Sequence, residues 1–126
     1  DALRRADAAI ICLPSDGETF HLIGAAELAA LGPEGLLVNV ARGEIVDEAA
    51  LAEALRNKHI AGAALDVTDP EPPAPDSPLW TLDNVLLSPH VAGGGSTGYD
   101  RFRALFSDNL KRYQAGETLL NLVPAH

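Results

Sequence analysis

The sequence predicts an α/β fold built on one parallel sheet: four strands with intervening helices, then a long C-terminal helix. Three observations point to it. Apolar runs of strand length, "AAIICL", "GLLVNVA", "IAGAALDV" and "NVLLSPHV", recur along the chain. None of them alternates apolar with polar residues, which is how strands covered on both faces read. Helical spacing fills the stretches between them, and strand–helix alternation is the pattern of a parallel sheet.

The elements follow in order. The opening "DALRRADAAI" reads as a helix tail running into the first strand, where Cys12 in its apolar run reads as a core thiol. "AAELAAL" is a short helix closed by Gly32 and Pro33. After the second strand, Asp47 is placed to N-cap a helix, Val46 to staple onto Leu51, and Leu51 with Leu55 gives an i, i+4 apolar stripe. The third strand leads into "TDPEPPAPDSP", too rich in proline and acid for either regular element. Beyond the fourth strand the longest helix opens near Ser96 or Thr97, sets Phe102, Phe106, Leu110 and Tyr113 on one face, and stops at Gly116. There is no internal repeat and no separate second domain.

Composition narrows the function. With 126 residues, 47% of them hydrophobic, the chain can build a real core. It contains no methionine, so it is expected to be a processed or truncated piece that does not naturally begin at Asp1. A formal net charge of −9 argues against a nucleic-acid partner. No stretch is long and apolar enough to span a bilayer and no signal peptide is visible, so no membrane partner is expected. One cysteine and no disulfide fit a reducing cytoplasm.

In "LLVNVARGEIVDE" an apolar strand runs into Arg42, Gly43 and a helix start. A guanidinium is not left unpaired in a core, so Arg42 reaches either water or an anion. A bulky side chain in place of Gly43 would crowd the turn. Ligands of open parallel α/β sheets bind beyond the carboxyl ends of the strands. Pro14, Arg42, Asp66 and His90 follow the first to fourth strands there, and Glu71 stands on the loop leaving the third.

"LLVNVARGEIVDEAALAEAL", "GAALDV", "DPEP" and "LLSPHVAGG", in this order and separation, closely resemble the carboxyl-terminal half of the D-isomer-specific 2-hydroxyacid dehydrogenases, over essentially the whole chain. The resemblance implies the second half of a doubly wound, Rossmann-type cofactor domain. Residues 1–95 would then be a partial dinucleotide-binding domain, and residues 96–126 a return helix and tail toward a substrate domain. It implies reduction of a small 2-oxo acid, or oxidation of the 2-hydroxy acid, with NAD or NADP, and a homodimer when full length. Arg42 of "ARG", Glu71 of "PEP" and His90 of "PHVAG" match the family's catalytic trio. On the cofactor side, Leu13 and Pro14 match a strand-end pair lying against the dinucleotide, and Val40 and Ala41 match backbone positions near the nicotinamide. Asp66 matches the acceptor for its carboxamide, and Arg42, His90 and Gly93 adjoin the same ligand. Thr19 matches a family threonine at the start of the following helix. No metal is implied. His21, His59 and His126 read as surface residues. G-x-G-x-x-G occurs once, as Gly93 to Gly98 in "AGGGSTG", but it does not replace the family's phosphate loop, since it follows the last strand and has no ribose-binding partner downstream.

The chemistry explains the trio. Reducing a 2-oxo acid builds negative charge on the carbonyl oxygen, and a proton must arrive with the hydride. Imidazolium at His90 would donate it and the neutral ring take it back in reverse, help worth roughly 10²–10⁴-fold. A Glu71 carboxylate would favour the charged ring and hold its orientation. Arg42 would grip the substrate carboxylate with two parallel hydrogen bonds. The rival reading from another class is an NAD(H)-sensing, corepressor-like binding protein of the same fold. Formate oxidation is a further rival, although the formate dehydrogenases of this superfamily carry glutamine where Glu71 stands.

Overall fold

The structure is a computed structural model that describes residues 2–95 and 97–123. Ser96, one of the two expected starts of the last helix, and His126 lie outside the described residues. Strands Ala8–Ile11 (β1), Leu36–Asn39 (β2), Gly62–Leu65 (β3) and Val85–Leu87 (β4) form one parallel sheet in the order β1-β2-β3-β4. Helix α1 (Ala25–Leu31) joins β1 to β2, and α2 (Glu48–Arg56) joins β2 to β3. The third connection has no α-helix; it is the acidic proline loop and one 3₁₀ turn at Pro78–Trp80.

The helix ends follow local chemistry. Asp47 caps α2 by accepting a hydrogen bond from the Ala50 amide at 3.0 Å. Gly32 closes α1 with φ +84°, a conformation in which a Cβ would be strained. Leu28 and Leu31 of α1 and Leu51, Ala52 and Leu55 of α2 bury against Ile11, Leu37, Ala63 and Leu65 of the sheet. Each fully buried leucine among them contributes about 1.5–3 kcal/mol.

Both helices lie on that one face, which corrects the expectation of a sheet covered on both sides. The register places Ile10, Val38, Ala64 and Leu86 in a row on the opposite face, and Ile10 and Leu86 are each 64% exposed. The physical reason lies in the connections: two helical crossovers pack together on the inner face, and the third supplies no helix for the outer one. Cys12 is corrected for the same reason. It follows the edge strand β1 with the parity of Ile10, and its thiol is exposed rather than in the core.

The chain divides into two compact units, Asp1–Ala92 and Gly93–His126. The second is built on α3 (Gly98–Ala115), which Gly116 ends in the left-handed conformation at φ +71°. Asn109 ties the following segment back, accepting from the Leu120 amide at 2.7 Å and donating to its carbonyl at 3.2 Å. Phe102, Phe106, Leu110 and Tyr113 are exposed on this helix.

Candidate active site

The loop after β2 is shaped by a buried side chain. Asn39 is 1% exposed; its Oδ1 accepts from the Ala41 amide at 3.0 Å and its Nδ2 donates to the Arg42 carbonyl at 2.8 Å. The backbone therefore wraps around the Asn39 amide and turns Arg42 out beyond the strand end. Arg42 is exposed, and its Nη1 donates to the Ala41 carbonyl at 2.6 Å. The rest of its planar fork is presented outward. At Gly43, any Cβ would collide with the Thr68–Asp69 backbone, so the loops leaving β2 and β3 touch there.

Leu13, Pro14, Val40, Ala41 and Arg42 are brought together around a cleft of about 470 Å³, with Cys12 and Ser15 at its margin. Thr19 steadies one wall, donating to the Pro14 carbonyl at 3.0 Å. Across the loop, Ser15 hydrogen-bonds Glu44.

A second cleft, of about 410 Å³, lies beyond β3 and β4 and gathers Asp66, Glu71 and His90 with apolar walls from Pro72, Trp80 and Leu87. His90 Nδ1 lies 2.7 Å from Glu71 Oε1. The two side chains are 46% and 42% exposed, so the pair is open to water and to a ligand. His90 has φ +53°, an uncommon conformation for a residue with a Cβ. Asp66, 6% exposed, sits beneath it. Its carbonyl accepts the His90 amide at 2.9 Å, and its carboxylate accepts the Ser88 hydroxyl at 2.6 Å and the Val91 and Ala92 amides at 2.9 and 2.8 Å. The Ser88 hydrogen bond first, then those of the amides, hold the Asp66 carboxyl below its ordinary range.

The loop carrying Glu71 is tethered at its base. Glu48, at the start of α2, accepts from the Asp69 amide at 3.2 Å and from the Ser77 hydroxyl at 3.3 Å. Burial pushes the Glu48 carboxyl up, against the pull of these two hydrogen bonds. Trp80 Nε1 donates to the Ala74 carbonyl at 2.9 Å and folds the far side of the loop.

The expected residues thus gather into two clefts at the carboxyl ends of the strands. Gly93 is the exception: it opens the second unit and is exposed. His21 and His59 are exposed, as expected of surface residues. Among the described residues no cluster of His, Cys, Asp or Glu could hold a metal. Sequence reasoning missed Asn39, Glu48 and Ser88. An asparagine inside an apolar strand was a readable signal for Asn39, since a buried amide must find partners. Nothing local marked the other two.

A parallel α/β sheet with an imidazole–carboxylate pair and a guanidinium beyond its strand ends has the layout by which open α/β domains bind ligands. The comparisons make this specific. The profile of the family "D-isomer specific 2-hydroxyacid dehydrogenase, NAD binding domain" matches residues 1–92, and the chain belongs to that family. A glyoxylate reductase of Korarchaeum cryptofilum is 40% identical over 121 residues, covering 96% of this chain and 36% of its own. The crystal structure of a D-isomer specific 2-hydroxyacid dehydrogenase from Xanthobacter autotrophicus Py2, in complex with NADPH and MES, superposes with a TM-score of 0.85. It is 43% identical and covers 97% of this chain and 50% of that one. An NADPH-dependent glyoxylate/hydroxypyruvate reductase from Sinorhizobium meliloti, in complex with NADP and malonate, gives a TM-score of 0.83 at 41% identity over 97% of this chain and 38% of its own. The chain spans little more than a third of the length of the curated relatives it matches.

Proposed function

We propose that the complete protein is an NAD(P)-dependent D-2-hydroxyacid dehydrogenase that interconverts a small 2-oxo acid and its 2-hydroxy acid. The observation that carries this reading is the 2.7 Å pairing of His90 with Glu71 beyond β3 and β4. The residues fit the nicotinamide end of a dinucleotide. Leu13, Pro14, Val40 and Ala41 offer an apolar wall, and Asp66 Oδ2, engaged by one amide, keeps an acceptor position for a carboxamide. They do not fit the pyrophosphate end, because neither cleft is lined by a glycine-rich phosphate turn; the glycine run at 93–98 follows the last strand.

When bound, the reduced nicotinamide supplies a hydride to C2 of the oxo acid. Arg42 binds the substrate carboxylate through its outward fork, fixing the ketone in place. His90 donates a proton from Nε2 to the carbonyl oxygen as charge develops there, while Nδ1 stays on Glu71. Glu71 holds the ring plane and compensates the charge of the imidazolium. In the reverse direction the neutral ring takes the hydroxyl proton.

Relatives named as reductases and dehydrogenases favour an enzyme over the NAD(H)-sensing reading. The cytoplasmic setting is proposed from the single cysteine without a disulfide, and the homodimer of the complete protein from the family resemblance. The free small acid is proposed as its partner, with no nucleic acid and no membrane. The direct test is reduction of glyoxylate or hydroxypyruvate by the complete protein with NADH or NADPH. His90→Ala is expected to lower that turnover on the order of 10²-fold or more, with little change in cofactor affinity. Near-normal turnover in this variant would remove His90 from the chemistry.

A further inference from the structure

We propose that Ser88 is a positioning residue for His90, acting through Asp66. The inference deepens the dehydrogenase reading and rests on it for its catalytic consequence. A residue at φ +53° does not hold itself in place; left-handed backbone is costly for a non-glycine residue and persists only where surrounding contacts impose it.

The contacts that impose it converge on one residue. The His90 amide donates to the Asp66 carbonyl, and the Val91 and Ala92 amides donate to the two oxygens of the Asp66 carboxylate. Successive amides around a left-handed residue form an anion-binding concavity, and here the anion is a side chain of the neighbouring strand end. Pro89, just before the turn, has no N–H and adds no donor. The Ser88 hydroxyl supplies it instead, at 2.6 Å from Asp66 Oδ1, the shortest of the contacts on this carboxylate. The Ser88 amide is bonded at 2.9 Å to the Leu65 carbonyl, so the hydroxyl is delivered from a fixed point at the end of β4.

The consequence is geometric. Without the hydroxyl, the carboxylate is held only by the Val91 and Ala92 amides of the turn itself, and the turn that aims the imidazole loses its tie to the end of β4. The ring would still touch Glu71 part of the time, but it would occupy the reactive orientation less often. The Ser88 hydroxyl bonds Oδ1, while Oδ2, the acceptor offered to the carboxamide, keeps its Ala92 amide, so the main loss is in turnover and the loss in cofactor binding is smaller.

In the complete protein, Ser88→Ala is expected to lower kcat about tenfold, with KM for the cofactor changed less than about twofold. Ser88→Thr, which keeps the hydroxyl, should restore kcat. A second readout does not depend on turnover: in Ser88→Ala the NMR amide signals of Val91 and Ala92 and the ring signals of His90 should move, and in Ser88→Thr they should return. Should Ser88→Ala fail to fold, Ser88→Cys gives the same comparison with a weak donor of similar size. Unmoved amide and ring signals overturn the brace whatever the kinetics show. Moved signals with unchanged kcat overturn the link from brace to acid–base function. A wild-type protein that reduces no 2-oxo acid sinks the dehydrogenase reading and with it the catalytic consequence, while the spectra still decide whether Ser88 and Asp66 hold the His90 turn.

Discussion

Asp66 and Glu48 are carboxylates that each accept hydrogen bonds from the site loops, yet their affinities for a proton move in opposite directions. Three donors converge on Asp66 and outweigh its burial, so its carboxyl falls below its ordinary value of 3.8. Two longer hydrogen bonds at Glu48 do not outweigh burial, so its carboxyl rises. For Asp66 the sign follows directly: the folded state binds the proton more weakly than the unfolded one. Its stabilisation is fully present above the unfolded value and is lost as pH falls through the folded one. Asp66→Asn should therefore lower stability at neutral pH, and the gap to wild type should close as pH falls below 3.8. Urea unfolding of both proteins across that range measures it, and a pH-independent gap would show that the charge of Asp66 is not what holds the turn. At this scale Arg42 and His90 were legible as candidate positions, because polar residues at the carboxyl ends of apolar runs stand out, and Glu71 because it stands on the loop leaving the third strand. Ser88 and Glu48 were not, because their partners lie 22 residues away at Asp66 and 21 and 29 away at Asp69 and Ser77.

Strands and loops were legible to different degrees. The apolar runs marked all four strands, but each ordered strand is shorter than its run, as the chain leaves the sheet to build the site. Asn39 illustrates why: its side chain replaces ladder bonds with bonds to Ala41 and Arg42, and β2 ends there. The approach of the β2 and β3 loops at Gly43 could not be read locally. A glycine after arginine suggested a tight turn, while the obstruction is another loop, the Thr68–Asp69 backbone. Gly43→Ala should therefore act on both loops at once. Overpacking of this kind costs about 1–3 kcal/mol, and for a domain of this size each kcal/mol lowers the melting temperature by roughly 2–8 °C. Gly17→Ala is the control, since nothing lies within 4 Å of a Cβ added there. Equal melting temperatures for the two variants would mean that the loops move apart without cost.

For the whole molecule, the one-sided burial of the sheet decides what these 126 residues do by themselves. Alternation of strands and helices announced a parallel sheet, but periodicity does not reveal which elements cover an apolar face. Ile10, Leu36 and Leu86 expose apolar surface on the outer face of the sheet, and Phe102, Phe106, Leu110 and Tyr113 do so on α3. Apolar patches of this kind favour association in water. A dinucleotide, in turn, is anchored mainly through its pyrophosphate on a helix N-terminus and the amides of a glycine-rich turn. The clefts described here offer a wall and an acceptor for the nicotinamide and no such turn. The 126-residue chain, purified alone, is thus expected to sediment as an associated species and to leave NADH fluorescence unchanged at micromolar concentrations. Tight NADH binding by this chain would show that the nicotinamide end alone suffices as an anchor, and the division of labour between the two ends of the cofactor would have to be redrawn. A monodisperse monomer would show instead that these exposed apolar residues do not suffice to drive association.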